Sequence, residues 1–322
     1  MEINEKNIKM FSTIGPRATL GLAALEIAKK DENLIVVTCD VSTSAGLDRF
    51  RKTFPDKYFD LGIAEQNMIG VATGLASENY KVVTTTFAPF QTMRCCEQIK
   101  VNLGYMKQKV CMVGIASGLA LGTLGYTHCC IEDIGVLRSI PGITIISPAD
   151  SLETVKSLQK AINYPGPTYI RLTGKSNNPI VNKSDYNFEI GKSITIKEGK
   201  DVSLFATGSM VFQSLKAAEI LEQNKIFARV INMHTIKPLD KEIIKKSLDS
   251  SLIITIEEHN IVGGLGSAIS EYLSTQKNKP KQVFIGIEDV YGKGGEYEYL
   301  LKKHGLTGEA IANKIMREID KN

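Results

Sequence analysis

Residues 58–77 read Tyr-Phe-Asp-Leu-Gly-Ile-Ala-Glu-Gln-Asn-Met-Ile-Gly-Val-Ala-Thr-Gly-Leu-Ala-Ser, and this stretch limits the possible folds most. The pattern predicts a short strand at 58–61, a turn at Gly62, and a helix after it. From Leu61 to Ser77 the only charged residue is Glu65. A helix of small apolar residues without a polar face is one packed closely against other elements. Gly70 and Gly74, four residues apart, suit such an approach. The first-turn carboxylate then has two readings. It complements the positive end of the helix dipole, or it is a buried acid whose pKa burial raises, so that it keeps a proton to donate. The stretch alone supports both.

The flanking sequence repeats a strand–helix rhythm. A helix near Pro16 runs to about Lys30, with Leu20, Ala23, Ala24, Ile27 and Ala28 on its apolar side. Residues 34–39 form a continuous apolar run, typical of a strand buried on both faces of a parallel sheet. Asp40 and a Ser/Thr-rich loop follow. Further strands are expected at 81–87, 110–115, 143–147 and 168–172, and helices at 89–103, 132–139 and 150–162. Strands alternating with helices imply a doubly wound α/β domain, with ligands bound beyond the carboxyl ends of the strands. Asp40, Phe87, the 118–128 loop and Arg171 all fall at or just after strand ends. Residues 173–186 read as a linker between a domain at 1–180 and a smaller α/β domain at 187–322. The second has strands expected at 202–207, 228–233, 252–257 and 282–287, and helices at 210–222, 241–248, 266–273, 296–303 and 307–318.

Composition removes several function classes. With 322 residues and a net charge of +4 spread without a basic cluster, the chain does not resemble a nucleic-acid binder. Its six cysteines contain no Cys-x-x-Cys, so neither a zinc site nor a secreted disulfide framework is indicated. Free thiols and a polar N-terminus without signal-peptide character point to the cytoplasm. The uncharged stretch 110–131 is long enough to span a bilayer. Its glycines at 114, 118, 122 and 125 make it a buried strand and loop instead, with no membrane association. Gly-Lys-Ser occurs at 174 and at 191, but Tyr169 and Tyr186 stand where a phosphate loop needs glycine.

Four motifs in order carry a resemblance: Leu61-Gly62-Ile63-Ala64-Glu65-Gln66-Asn67; Thr86-Phe87-Ala88-Pro89-Phe90; Gly125-Tyr126-Thr127-His128 with Ile131-Glu132-Asp133; and Pro148-Ala149-Asp150. They resemble the transketolase family, and more closely the C-terminal half of a split transketolase. Glu257-Glu258-His259 with 263–266, Gly-Gly-Leu-Gly, is similar to the family's last domain, so the resemblance spans nearly the whole chain. It implies a pyrimidine-binding domain followed by a transketolase C-terminal domain, and thiamine diphosphate as cofactor.

The resemblance assigns roles. Glu65 is the acid that hydrogen-bonds the pyrimidine nitrogen. Phe87 and Phe90 pack against the pyrimidine ring, although phenylalanines are ordinarily core residues. Asp40 lies near the thiazolium, or is simply a turn residue. His128 bonds substrate oxygens and moves protons at the carbonyl. Arg17, Ser44 and Arg171 match the positions that hold the substrate phosphate, a task suited to the arginine fork. Cys129 and Cys130, beside His128, either touch substrate or fill space as small hydrophobes.

Two departures stand out. The family's aspartate four residues before the histidine is Leu124 here, and its second histidine, twelve residues before, is Ala116. Losing a hydrogen-bonding partner for a substrate hydroxyl removes discrimination, so a preferred sugar other than the standard pentose phosphates is expected. The family's Gly-Asp-Gly motif, which holds Mg2+ and the diphosphate, does not occur. Its ligands are therefore expected from an N-terminal partner subunit, in an α2β2 heterotetramer or with a homodimer of this chain. A deoxyxylulose-phosphate synthase-like activity, or a 2-oxo-acid dehydrogenase β subunit working with a lipoyl-domain partner, is the neighbouring alternative. A non-catalytic scaffold is the alternative of another class.

Overall fold

The computed structural model describes residues 2–321 and contains two sheets. The first is built from β1 (Leu34–Thr38), β2 (Tyr58–Asp60), β3 (Lys81–Phe87), β4 (Val110–Ile115), β5 (Thr144–Ile146) and β6 (Thr168–Arg171). These six pair in parallel, in the order β5-β6-β4-β3-β1-β2. Strands β1, β4, β5 and β6 are buried along their whole length, as continuous apolar runs in a helix-covered parallel sheet should be.

The second sheet contains β7 (Ile194–Lys197), β8 (Val202–Ala206), β9 (Ala228–Asn232), β11 (Leu252–Asn260) and β12 (Lys281–Ile287), in the order β12-β11-β8-β9-β7. All pairings are parallel except β7 with β9. The remaining strand, β10 (Thr235–Lys237), leaves the second half and pairs antiparallel with β5 at the edge of the first sheet. The chain is thus α/β with two wound sheets, and one short strand belongs to the other half's sheet. Among the described residues, no helix is long and apolar enough to cross a membrane.

Several elements differ from the sequence-based expectation. The first helical stretch begins at Glu5 and breaks at Gly15, whose φ of 80° and ψ of 173° are non-helical; Pro16 then opens the second segment, which ends at Ala28. Glycine is required at 15 for a second reason: a Cβ there would lie 2.9 Å from the Lys175 carbonyl oxygen. The single helix expected at 89–103 is broken. It consists of Ala88–Thr92, Cys96–Gln98 and a wide turn at Ile99–Tyr105. Side chains satisfy the carbonyls freed at the break: Gln66 Nε2 donates to Arg94 O at 3.1 Å and the Cys95 thiol to Phe90 O at 3.1 Å.

The helix Glu65–Ser77 buries Glu65, Met68, Ile69, Ala72 and Thr73. Its other face is open, which corrects the expectation of an all-round buried helix. Gln66, Asn67, Gly70 and Gly74 are exposed, and a Cβ added at either glycine meets nothing within 4 Å. The open face thus runs from polar Gln66 and Asn67 to the small Gly70 and Gly74, and no other described residue covers it.

His234 precedes β10 and stacks on Phe188 with ring centroids 4.1 Å apart. It is 1% exposed, and burial pushes its imidazole pKa down to about 4, with nearby Asp240 acting in the opposite direction. The unfolded chain takes up a proton near pH 6.5 that the folded chain refuses, so this group contributes stability above that pH and loses it as pH falls through about 4. The full span corresponds to about 3 kcal/mol at one site. A His234→Phe variant is expected to show a shallower decline of unfolding free energy in urea from pH 6.5 down to about 4 than the parent chain.

Candidate active site

Four of the residues singled out in the sequence lie beyond the carboxyl ends of β2, β3 and β4. Glu65 opens its helix after the Gly62 turn, and its side chain is 4% exposed. Phe87 ends β3 and Phe90 lies in the short helix that follows, so one strand–helix junction presents both rings. Their centroids are 6.4 Å apart, edge to face. The His128 ring completes the group, 5.5 Å from Phe90 and 6.5 Å from Phe87. Thr127 Oγ1 lies 3.0 Å from His128 Nδ1 and limits how the imidazole can turn.

Arg94, at the helix break, links the carboxylate to the aromatic group. Its Nη1 donates to Glu65 Oε1 at 2.8 Å, and its guanidinium carbon stands 4.0 Å from the Phe90 centroid. The site thus offers one buried carboxylate oxygen beside one aromatic face, and it accommodates a planar hydrogen-bonding group across both.

The loop carrying His128 is held by the second half of the chain. Gly118 and Cys130 exchange backbone hydrogen bonds of 2.8 and 2.9 Å. Leu119 N donates to Glu258 Oε1 at 2.6 Å, and a Cβ at Gly118 would lie 2.3 Å from that same oxygen. Farther along the loop, Gly295 N donates to Gly122 O at 2.9 Å, and the Tyr126 hydroxyl lies 2.9 Å from His304 Nε2.

Arg17 and Ser44 share a second, polar cavity of about 350 Å³ with Thr43, Lys175 and Ser176. The Gly15 break and the close contact with residues 175–176 create it. Burial lowers the Arg17 pKa, and among the described residues no carboxylate forms an ion pair with it. Asp40 stands exposed just past β1 in a left-handed conformation, φ 55°, with its N–H donated to Asp60 Oδ1 at 2.9 Å. Ala116 is buried past β4, and Leu124 is 55% exposed at the end of a short turn. Cys129 and Cys130 are buried, and burial pushes the Cys129 thiol up to about 11, so both act as packing residues.

Both halves of the chain match known family models. Residues 12–179 match the transketolase pyrimidine-binding domain, and residues 191–311 the transketolase C-terminal domain. The chain belongs to the transketolase family. It is 40% identical over 308 residues to a putative transketolase C-terminal section from Methanocaldococcus jannaschii, covering 95% of this chain and 97% of that protein. It is 36% identical to a 6-deoxy-6-sulfo-D-fructose transketolase subunit from Clostridium sp., covering 89% of each. Among solved structures it resembles a split-gene transketolase described as an inactive β4 tetramer, with a TM-score of 0.85 at 35% identity over 94% of this chain and 97% of that one.

For a transketolase the placement of Arg171 requires a correction. It is 1% exposed and does not reach the rim. Its Nε donates to both Asp133 oxygens at 2.9 Å, and Nη2 donates to Cys130 O at 3.1 Å and Glu258 O at 2.9 Å. The reason is the twofold side-chain period of a strand: Arg171 points to the same face as Tyr169, whose hydroxyl also meets Asp133, at 2.7 Å. Lys175, four residues on, stands instead beside Arg17 and Ser44. Sequence reasoning misses it because the Gly-Lys-Ser triplet fails as a nucleotide loop, and its approach to Arg17 is a tertiary contact made at Gly15. Arg94 was missed because the apolar pattern at 89–103 continues through the break.

Removing one member of a fully buried ion pair leaves the other charge stranded, which costs about 3–5 kcal/mol. Asp133→Asn and Arg171→Met are each expected to lower the unfolding midpoint of the isolated chain strongly. An Arg171 that served only as a substrate ligand would leave that midpoint unchanged, so thermal denaturation separates the two roles.

Proposed function

We propose that this chain is the C-terminal subunit of a two-chain transketolase that transfers a two-carbon ketol unit from a ketose phosphate to an aldose acceptor. The observation that carries this reading is the buried Glu65 carboxylate set beside the Phe87, Phe90 and His128 rings. Bound thiamine diphosphate would supply the carbon nucleophile for breaking and forming the carbon–carbon bond. Glu65 would hydrogen-bond the pyrimidine nitrogen, while Phe87 and Phe90 hold the ring and Asp40 lies toward the thiazolium. What supports the fit is that a flat group with a hydrogen-bonding edge, the Arg94 guanidinium, spans Glu65 and Phe90.

His128 would bond the substrate oxygens and shuttle protons at the carbonyl carbon. Arg17, Ser44 and Lys175 would hold the phosphate in their shared cavity. The exposed Leu124 removes the carboxylate that the family uses on a donor hydroxyl, which favours a sugar other than the standard pentose phosphates. Mg2+ and the diphosphate would be held by an N-terminal partner, because the chain has no Gly-Asp-Gly motif. The open Gly70/Gly74 face, with Ile63 77% exposed beside it, is the surface we assign to that contact, in an α2β2 assembly in the cytoplasm.

The deciding experiment is a calorimetric titration of thiamine diphosphate and magnesium into this chain alone and into its complex with the partner subunit. Binding only in the complex is expected; tight binding by the chain alone would refute the split site. In the complex, Glu65→Gln is expected to lower kcat by about a hundredfold or more, whereas a scaffold subunit would show no change. Xylulose 5-phosphate is expected to be a poor donor for the complex, and ordinary kcat/KM with it would refute the assigned effect of Leu124.

A further inference from the structure

Arg94 has no role in the functional reading above, yet it touches the centre of the site. Its backbone is fixed at the helix break by the hydrogen bond from Gln66 Nε2, while its side chain is 41% exposed. In the free chain that side chain makes two contacts, one to Glu65 Oε1 at 2.8 Å and one to the face of Phe90 at 4.0 Å. A guanidinium is a flat group that donates in its own plane and stacks through its face. The aminopyrimidine assigned to this place is also flat, needs the same carboxylate at its edge and stacks on the same ring. The two groups therefore compete for the Phe90 face and, at Glu65, for the hydrogen bond that Oε1 makes. Their chemistry at Glu65 is also opposed: the guanidinium can only donate, whereas the ring nitrogen assigned to Glu65 accepts.

We infer that Arg94 is an intramolecular occupant of the aminopyrimidine subsite, closing it in the unpartnered chain and leaving it when the cofactor seats. The inference rests on the proposed function, since it presupposes which group Glu65 and Phe90 receive. The contact keeps the buried carboxylate hydrogen-bonded and the Phe90 face covered while the site is empty, avoiding the cost of leaving a buried acceptor unpaired. It also lowers apparent cofactor affinity, because only the fraction of molecules with Arg94 swung out can bind.

The test is calorimetric: titration of thiamine diphosphate with magnesium into the two-subunit complex carrying wild-type chain, Arg94→Met, Arg94→Lys or Arg94→Gln. Methionine keeps an apolar stem but neither pairs nor stacks as a cation, and it is expected to tighten binding by about tenfold, the sum of a half-exposed ion pair and a cation–π contact. Lysine keeps the charge without the plane and is expected to fall between methionine and wild type. Glutamine, expected to tighten binding like methionine, replaces it if the methionine variant does not fold. Binding by Arg94→Met or Arg94→Gln that is equal to or weaker than wild type overturns the inference, the weaker result making Arg94 a cofactor ligand. In both cases the wild-type complex still binds and the functional reading stands. A wild-type complex that binds no cofactor overturns the functional reading, and the inference falls with it.

Discussion

The ion pair between Arg171 and Asp133 is the interaction on which the arrangement of the two halves depends. Two charges taken fully out of water are tolerable only when geometry and additional hydrogen bonds compensate their lost hydration. Here Asp133 receives Arg171 Nε and the Tyr169 hydroxyl, and Arg171 Nη2 donates to the carbonyls of Cys130 and Glu258. His259, 3.8 Å from Asp133, is held neutral near pH 7 because burial pushes its imidazole down to about 4. A strand of the first sheet, the segment after the His128 loop and a strand of the second sheet converge on one guanidinium. Displacing any of them strands a charge, so the pair fixes their relative position more sharply than apolar contacts, which tolerate sliding.

The rim of the candidate site is built on that fixed frame by close approaches that only particular residues permit. Gly15 lets the first helical stretch break against residues 175–176, which brings Lys175 to Arg17 and Ser44. Gly118 lets the His128 loop start against the Glu258 carboxylate. Burial raises the pKa of Glu258, while its hydrogen bonds from Ser209, Leu119 and Tyr297 favour the ionised form. The two parts of the site thus depend on backbone geometry far more than on the identity of the flanking side chains.

Much of this was legible in the sequence. The buried strands of both sheets announce themselves as apolar runs, and the residues around Glu65, Phe87, Phe90 and His128 fall where parallel strands end. What escaped sequence reading was set by tertiary contact. Strand β10 is three residues long and exists because β5 offers it an edge. The helical segment before Gly15 carries mostly polar residues; Ile8 and Phe11 bury it, and Asn177 and Asn178 hydrogen-bond its carbonyls at Thr13 and Ser12. The break at Arg94 is stabilised by Gln66, a residue of another helix, so no local pattern could reveal it. Arg171 illustrates a different failure: its position at a strand end was read correctly, but the parity it shares with Tyr169 sends its side chain inward.

The His128 loop carries one further consequence. Its apolar anchors Leu119, Cys129 and Ile131 do not join the core of the sheet that precedes them; they pack into the cluster formed by Leu204, Ile256, Leu300 and their neighbours in the second half. The unit of packing therefore differs from the unit of sequence. Recombining relatives by cutting within the connecting segment at 173–186 would separate the His128 loop from the hydrophobic bed that shapes it. Exchangeable modules in this lineage should be drawn so that the loop travels with the C-terminal sheet, even though the chain visits that loop some fifty residues earlier.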